Sequence, residues 1–76
     1  MMNKFYAIKF NENLFYYGFS TVGEELQKIK LYKREKDAIE QAKTILNNKH
    51  LYGKFVEKYQ LKKFKIVKIE IEIKED

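Results

Sequence analysis

His50 is the single histidine of the chain and there is no cysteine. Neither a Cys/His nucleophilic pair nor a zinc set of the usual kind can therefore be assembled. Placed where a helical pattern ends, His50 and Lys49 suit the negative end of a helix dipole. The paired carboxylates are Glu24 with Glu25 and Glu70 with Glu72. Glu70 and Glu72 alternate with Lys68 and Lys74, the pattern of a solvated charge ladder rather than of a general acid and base. Gly18 and Gly23 belong to neither GxxxxGKS, GxxxxGKT nor GxGxxG, so nothing resembles a phosphate-cradling loop. No catalytic, metal or cofactor residue is expected, and an enzyme is the class the sequence supports least.

Two other groups of residues suit binding. Lys54, Lys58, Lys62, Lys63, Lys65 and Lys68 are opposed in their segment only by Glu57 and are interleaved with Phe55, Tyr59 and Phe64. Cations along a groove with rings for base stacking are what single-stranded nucleic acid requires. The competing reading puts those rings in a core and leaves the lysines to keep a small protein soluble. The second group is Phe15, Tyr16, Tyr17 and Phe19. With 6 Phe and 6 Tyr, the chain has more rings than a domain of its length can pack around one helix. Tyr16, Tyr17 and Phe19 are accordingly candidates for docking a partner, since such rings are enriched at interfaces. Core packing competes with docking here too.

The charge balance narrows the nucleic-acid option. The net charge is +5, and all but one of the 16 cations are Lys. Lys serves phosphate contacts as a point charge, whereas bidentate base readout favours Arg. A composition rich in Lys, Ile, Asn and Tyr, without Pro or Trp, also fits an AT-rich coding sequence.

Several elements would position these groups. Tyr6, Ile8 and Phe10 share parity in a β-forming run and predict a strand with one buried face. Asn11, Glu12 and Asn13 supply a turn, and residues 14–19 a second, hairpin-paired strand with apolar groups on both parities. Ile29 and Leu31 alternate with lysines, predicting a third strand over 27–32. Ala38, Ile39, Ala42, Ile45 and Leu46 then fall on one helical face. Asp37 and Glu40 resemble a capping box at the start of that helix, which should run to about Asn48. A short extra helix is expected near 54–60. In the terminal strand Val67, Ile69, Ile71 and Ile73 form a dry face, predicted to pair with the first strand and close the sheet beneath the helix. The fold expected is a single α+β domain, an antiparallel sheet of about four strands in βββαβ order covered on one face by one helix.

A chain of 76 residues buries only about 60% of its unfolded surface, a thin core for an independent domain. Disulfides and metals being largely excluded by composition, a partner subunit is the remaining support, and a homo-oligomer, most simply a dimer, is expected. The absence of cysteine fits a reducing cytoplasm. The longest apolar run is too short to span a bilayer, and no secretory pattern opens the chain, so a cytoplasmic location without membrane contact is expected.

The strand with Tyr6 and Phe10, the strand from Phe15 to Phe19 running into Ser20-Thr21-Val22-Gly23-Glu24, the Ala38-x-x-x-Ala42 helix start and the strand with Val67 and Ile73 together resemble small accessory proteins of bacteriophages and prophages. Some of these inhibit host defence systems, anti-CRISPR proteins among them, by occupying nucleic-acid or protein surfaces on their targets. The resemblance implies a non-enzymatic protein-binding module acting on a host protein, such as a nucleic-acid-handling complex. A small basic nucleic-acid-binding protein using residues 54–68 is the alternative, and a structural or regulatory homo-oligomer a third.

Overall fold

A computed structural model describes residues 2–72. The elements follow as β1 (Met2–Phe10), β2 (Leu14–Gly18), β3 (Thr21–Gly23), a 3₁₀ turn (Leu26–Lys28), α1 (Glu35–Asn47), α2 (Lys49–Tyr59) and β4 (Phe64–Glu72). The strands form one 4-stranded antiparallel sheet in the order β3-β2-β1-β4. Both helices lie against one face of it, so the α+β class and strand number expected are observed, and the extra helix expected near 54–60 is α2, which is longer and begins at Lys49.

Cross-strand partners share a face, which lets the register assign the paired side chains. Ile8 opposes Ile66, Phe10 opposes both Phe64 and Leu14, and Tyr16 opposes Val22. These residues meet Ala38, Ala42 and Ile45 of α1, Phe55 of α2 and Leu61 in one core. The opposite face carries Phe5 beside Ile69, Ala7 beside Val67, Asn3 beside Ile71 and Lys9 beside Phe15. The apolar ladder Val67, Ile69 and Ile71 therefore pairs with β1 as expected but faces away from the helices, not beneath them. Ile73 lies outside the described residues.

Asn11 sets this register. With φ 53 it turns the chain sharply, its N–H donates to the Lys63 carbonyl at 2.8 Å, and its side chain bonds Gln60 O and Lys62 N at 3.0 and 2.9 Å. Phe64 is thereby placed opposite Phe10. A slip of one residue would exchange the two faces of β4.

The third strand is earlier and shorter than its pattern suggested. After Phe15 the pairing of β1 with β2 ends, and residues 29–32 enter the gap. Lys30 N–H donates to Tyr16 O at 3.0 Å on one side, while Tyr32 exchanges bonds with Tyr6 at 2.7 and 2.8 Å on the other. Ile29 and Leu31 are consequently not part of a regular strand.

Helix α1 starts at Glu35, ahead of the predicted capping box. The Asp37 carboxylate is instead held by the Arg34 guanidinium, Nε and Nη2 both at 2.9 Å. Asn48 closes α1 by donating its N–H to Thr44 O at 2.8 Å and opens α2 by accepting from Leu51 N–H on its side chain at 3.1 Å. Lys49 and His50 therefore occupy the first turn of α2 rather than a free helix C-terminus, which corrects the dipole role given to them.

Candidate partner-binding site

The β2–β3 hairpin is closed by Phe19 and Ser20 between the paired residues Gly18 and Thr21. Gly18, Phe19 and Ser20 have φ of 94, 50 and 56, and Thr21 Oγ1 donates to Gly18 O across the turn. Positive φ at both central positions of a two-residue turn matches the right-handed twist of the strands, which is why Asn-Gly is usual there. A phenylalanine costs on the order of 1–2 kcal/mol in that conformation. The residue is 99% exposed, so no intramolecular packing offsets the cost. Backbone strain held without a folding benefit is a marker of functional surface.

Of the residues expected to dock a partner, the structure presents Phe19 fully, Tyr17 partly and Tyr16 hardly at all. Tyr17 lies half-buried on the helix-free face, its ring over Gly23, where an added Cβ would sit 2.7 Å from Tyr17 Cζ. Its hydroxyl accepts from Glu25 N–H at 2.7 Å and so ties the turn after β3 to β2. Tyr16 is 5% exposed, with its ring edge-on to Phe10 at 6.3 Å and tilted against Phe55 at 6.2 Å. Burial raises its hydroxyl pKa. Tyr16 is a core residue, and the docking set is corrected to exclude it: as an even-numbered partner of Val22 it faces the helices. Alternation along β2 could have separated it from Tyr17, had the covered parity been known.

The lysines are spread over the molecule. Lys54 and Lys58 stand exposed on α2, Lys62 and Lys63 in the connection that follows, and Lys65 on the helix-free side of the sheet opposite Lys9. The rings interleaved with them serve the core: Phe55 is 7% exposed, and Tyr59 and Phe64 pack against it. The stacking surface anticipated for this segment is not formed.

Glu24 accepts from Asn13, Glu25 pairs with Lys28 at 2.8 Å, and Lys68 with Glu70 at 3.6 Å, all at the surface. Among the described residues no group of three or more His, Cys, Asp or Glu could hold a metal. A cleft of about 460 Å³ between the helices is lined by Ile45, Leu46, Gly53 and Val56 with Lys49, Lys54 and Glu57 at its rim. At the edge of the core, the Oη of half-buried Tyr32 is itself buried without a hydrogen-bond partner, and burial, followed by Tyr16 and Tyr52, raises its pKa.

No protein-family model, curated protein or solved structure matches the chain. Among the described residues no helix is long and apolar enough to cross a membrane. Sequence reading missed Leu26 and Leu51, apolar residues exposed by 74% and 69%, because neither breaks the periodicity of its surroundings.

Proposed function

We propose that this chain is a non-enzymatic protein-binding module of the cytoplasm, of the kind represented by phage-type inhibitors of host defence nucleases. It docks on a host protein through the β2–β3 hairpin, with Phe19 entering a pocket on the partner and Tyr17 on the strand behind it. One observation carries this reading, the Phe19 ring held fully exposed on a left-handed backbone. A rigid aromatic at the tip of a tight turn loses little conformational freedom on binding and buries a large apolar area, as interface hot spots do.

Affinity capture from host lysate with the wild type and Phe19→Asn tests the docking. Asn tolerates the left-handed region, so the variant keeps the turn and loses only the ring. Proteins captured by the wild type should be absent with Phe19→Asn and retained by a Lys36→Ala control. Identical recoveries from all three proteins would sink the reading. Addition of the chain to a cleavage assay of any captured nuclease then tests inhibition directly.

Exposure of Lys54, Lys58, Lys62, Lys63 and Lys65 supports a second reading, direct binding of nucleic acid. If all of them contacted phosphates, duplex affinity would fall with a log–log salt slope of about −4.5. The module is further proposed to act as a homodimer, because its core is thin for an independent domain.

A further inference from the structure

Strand β4 is an edge of the sheet, and its backbone directions can be worked out from its neighbour. Tyr6 gives both its N–H and its carbonyl to Tyr32, on the side away from β4. Asn11 N–H, by contrast, reaches Lys63 O on the β4 side. Because backbone groups alternate along a strand, odd-numbered residues of β1 bond β4, and the odd-numbered partners Lys65, Val67, Ile69 and Ile71 bond back. The even-numbered residues Ile66, Lys68, Glu70 and Glu72 thus point their N–H and carbonyl groups outward. Among the described residues no backbone hydrogen bond joins this outer edge to another element.

Edge strands are commonly protected by proline, bulges or charged side chains, lysine above all. Here the edge has no proline and no irregularity in its register with β1. Its charges are of both signs, with Lys68 and Glu70 close enough to pair at 3.6 Å on one face. That order is self-complementary. When two copies of β4 run antiparallel about Ile69, Lys68 of each opposes Glu70 of the other, and both are residues whose backbone groups point outward. Ile69 then faces Ile69, and Val67 faces Ile71, in the narrow non-hydrogen-bonded pairs where side chains approach most closely. Centring on Lys68 or on Glu70 instead sets like charges against each other. Pairing in the favoured register also extends the helix-free apolar face, where Ile71 is 38% exposed, across the junction.

We infer that β4 is a homodimer interface, joining two copies edge to edge into one continuous antiparallel sheet in the register Lys68 to Glu70. This rests on the homodimer part of the proposed function and gives that dimer its surface; docking through Phe19 lies at the opposite end of the sheet order and is independent of it.

Reciprocal charge exchange tests the register. Light scattering and sedimentation equilibrium across concentration should show a wild-type dimer. Lys68→Glu and Glu70→Lys alone each turn two cross-strand attractions into two repulsions, weakening self-association roughly 30-fold. An equimolar mixture of the two variants should form a heterodimer of wild-type affinity, as should the doubly exchanged chain with itself. Under oxidation Ile69→Cys should cross-link to a dimer, and Val67→Cys, which opposes Ile71, should not. A wild type monomeric near 1 mM, about the weakest association still expected of a specific pair, overturns both the dimer and its interface. A wild-type dimer indifferent to the exchanges overturns the interface while leaving the dimer. Capture by Phe19 should persist in Lys68→Glu, so loss of docking and loss of pairing are read separately.

Discussion

Phe19 shows how a single side chain can carry a functional argument when its backbone and its exposure disagree with folding. Replacement by Asn should raise stability by about 0.5–1 kcal/mol, read as a higher urea midpoint at unchanged slope, because the left-handed conformation suits Asn better. A loss of stability in Phe19→Asn would mean that the ring packs on something in solution. Tyr32 makes the opposite case, a buried hydroxyl without a partner. Tyr32→Phe should stabilise the fold by about 1 kcal/mol, since the desolvation of an unsatisfied group is relieved. The same residue gives a pH dependence. Its folded pKa is raised above the unfolded value of about 10, first by burial and then by Tyr16 and Tyr52. Folding favours the neutral phenol, so stability is intact below pH 10 and falls as pH rises beyond it. Urea melts between pH 8 and 11 should show the decline, and Tyr32→Phe should reduce it. Tyr16, raised chiefly by its own burial, accounts for part of what persists.

At the scale of elements, the helical pair hinges on Asn48, which ends α1 and caps α2. Asn48→Ala removes the acceptor for Leu51 N–H and should cost about 1 kcal/mol, measured by thermal or urea unfolding. Asn48→Ser, another good cap, should recover most of the loss. The hairpin of β2 and β3 depends on its positive-φ residues, and β4 depends on Asn11 for its register. The turn at Phe19 and Ser20 is hidden in the sequence, where residues 14–19 read as one strand, whereas the polar turn at Asn11 is visible there. What the strands face is not, because a strand with apolar residues on both parities, such as Phe64 and Ile66 followed by Val67, Ile69 and Ile71, fits either orientation.

At the scale of the molecule, the fully buried large side chains among the described residues are few, namely Phe10, Ile8 and Ile45. Phe10 packs against Tyr16 and sits opposite Phe64. Phe10→Ala should cost about 3–5 kcal/mol, a large part of the roughly 4–11 kcal/mol that a chain of 76 residues can hold in reserve. Circular dichroism should show it largely unfolded at 37 °C. If the edge pairing of β4 operates, melting temperature should rise with protein concentration for the wild type and stay constant for Lys68→Glu, since association stabilises the folded state by mass action.

The sequence alone was enough for the α+β class, the strand at each end, the helix built on Ala38, Ala42 and Ile45, and the lack of the cysteines and paired histidines from which common catalytic and metal sites are made. These follow from composition and from local periodicity, which the backbone reads within a few residues. Tertiary structure decided that Tyr16 is core and Phe19 is surface, that residues 29–32 fill the gap between β1 and β2, and that the Val67, Ile69 and Ile71 ladder turns its back on the helices. Phe19 is exposed by its turn and residues 29–32 are placed by bonds within the sheet, but the places of Tyr16 and of the ladder depend on which face of the sheet receives the helices. That choice is settled by long-range register, with Asn11 clamped to residues 60–63, and alternation within a strand is the same whichever face is buried.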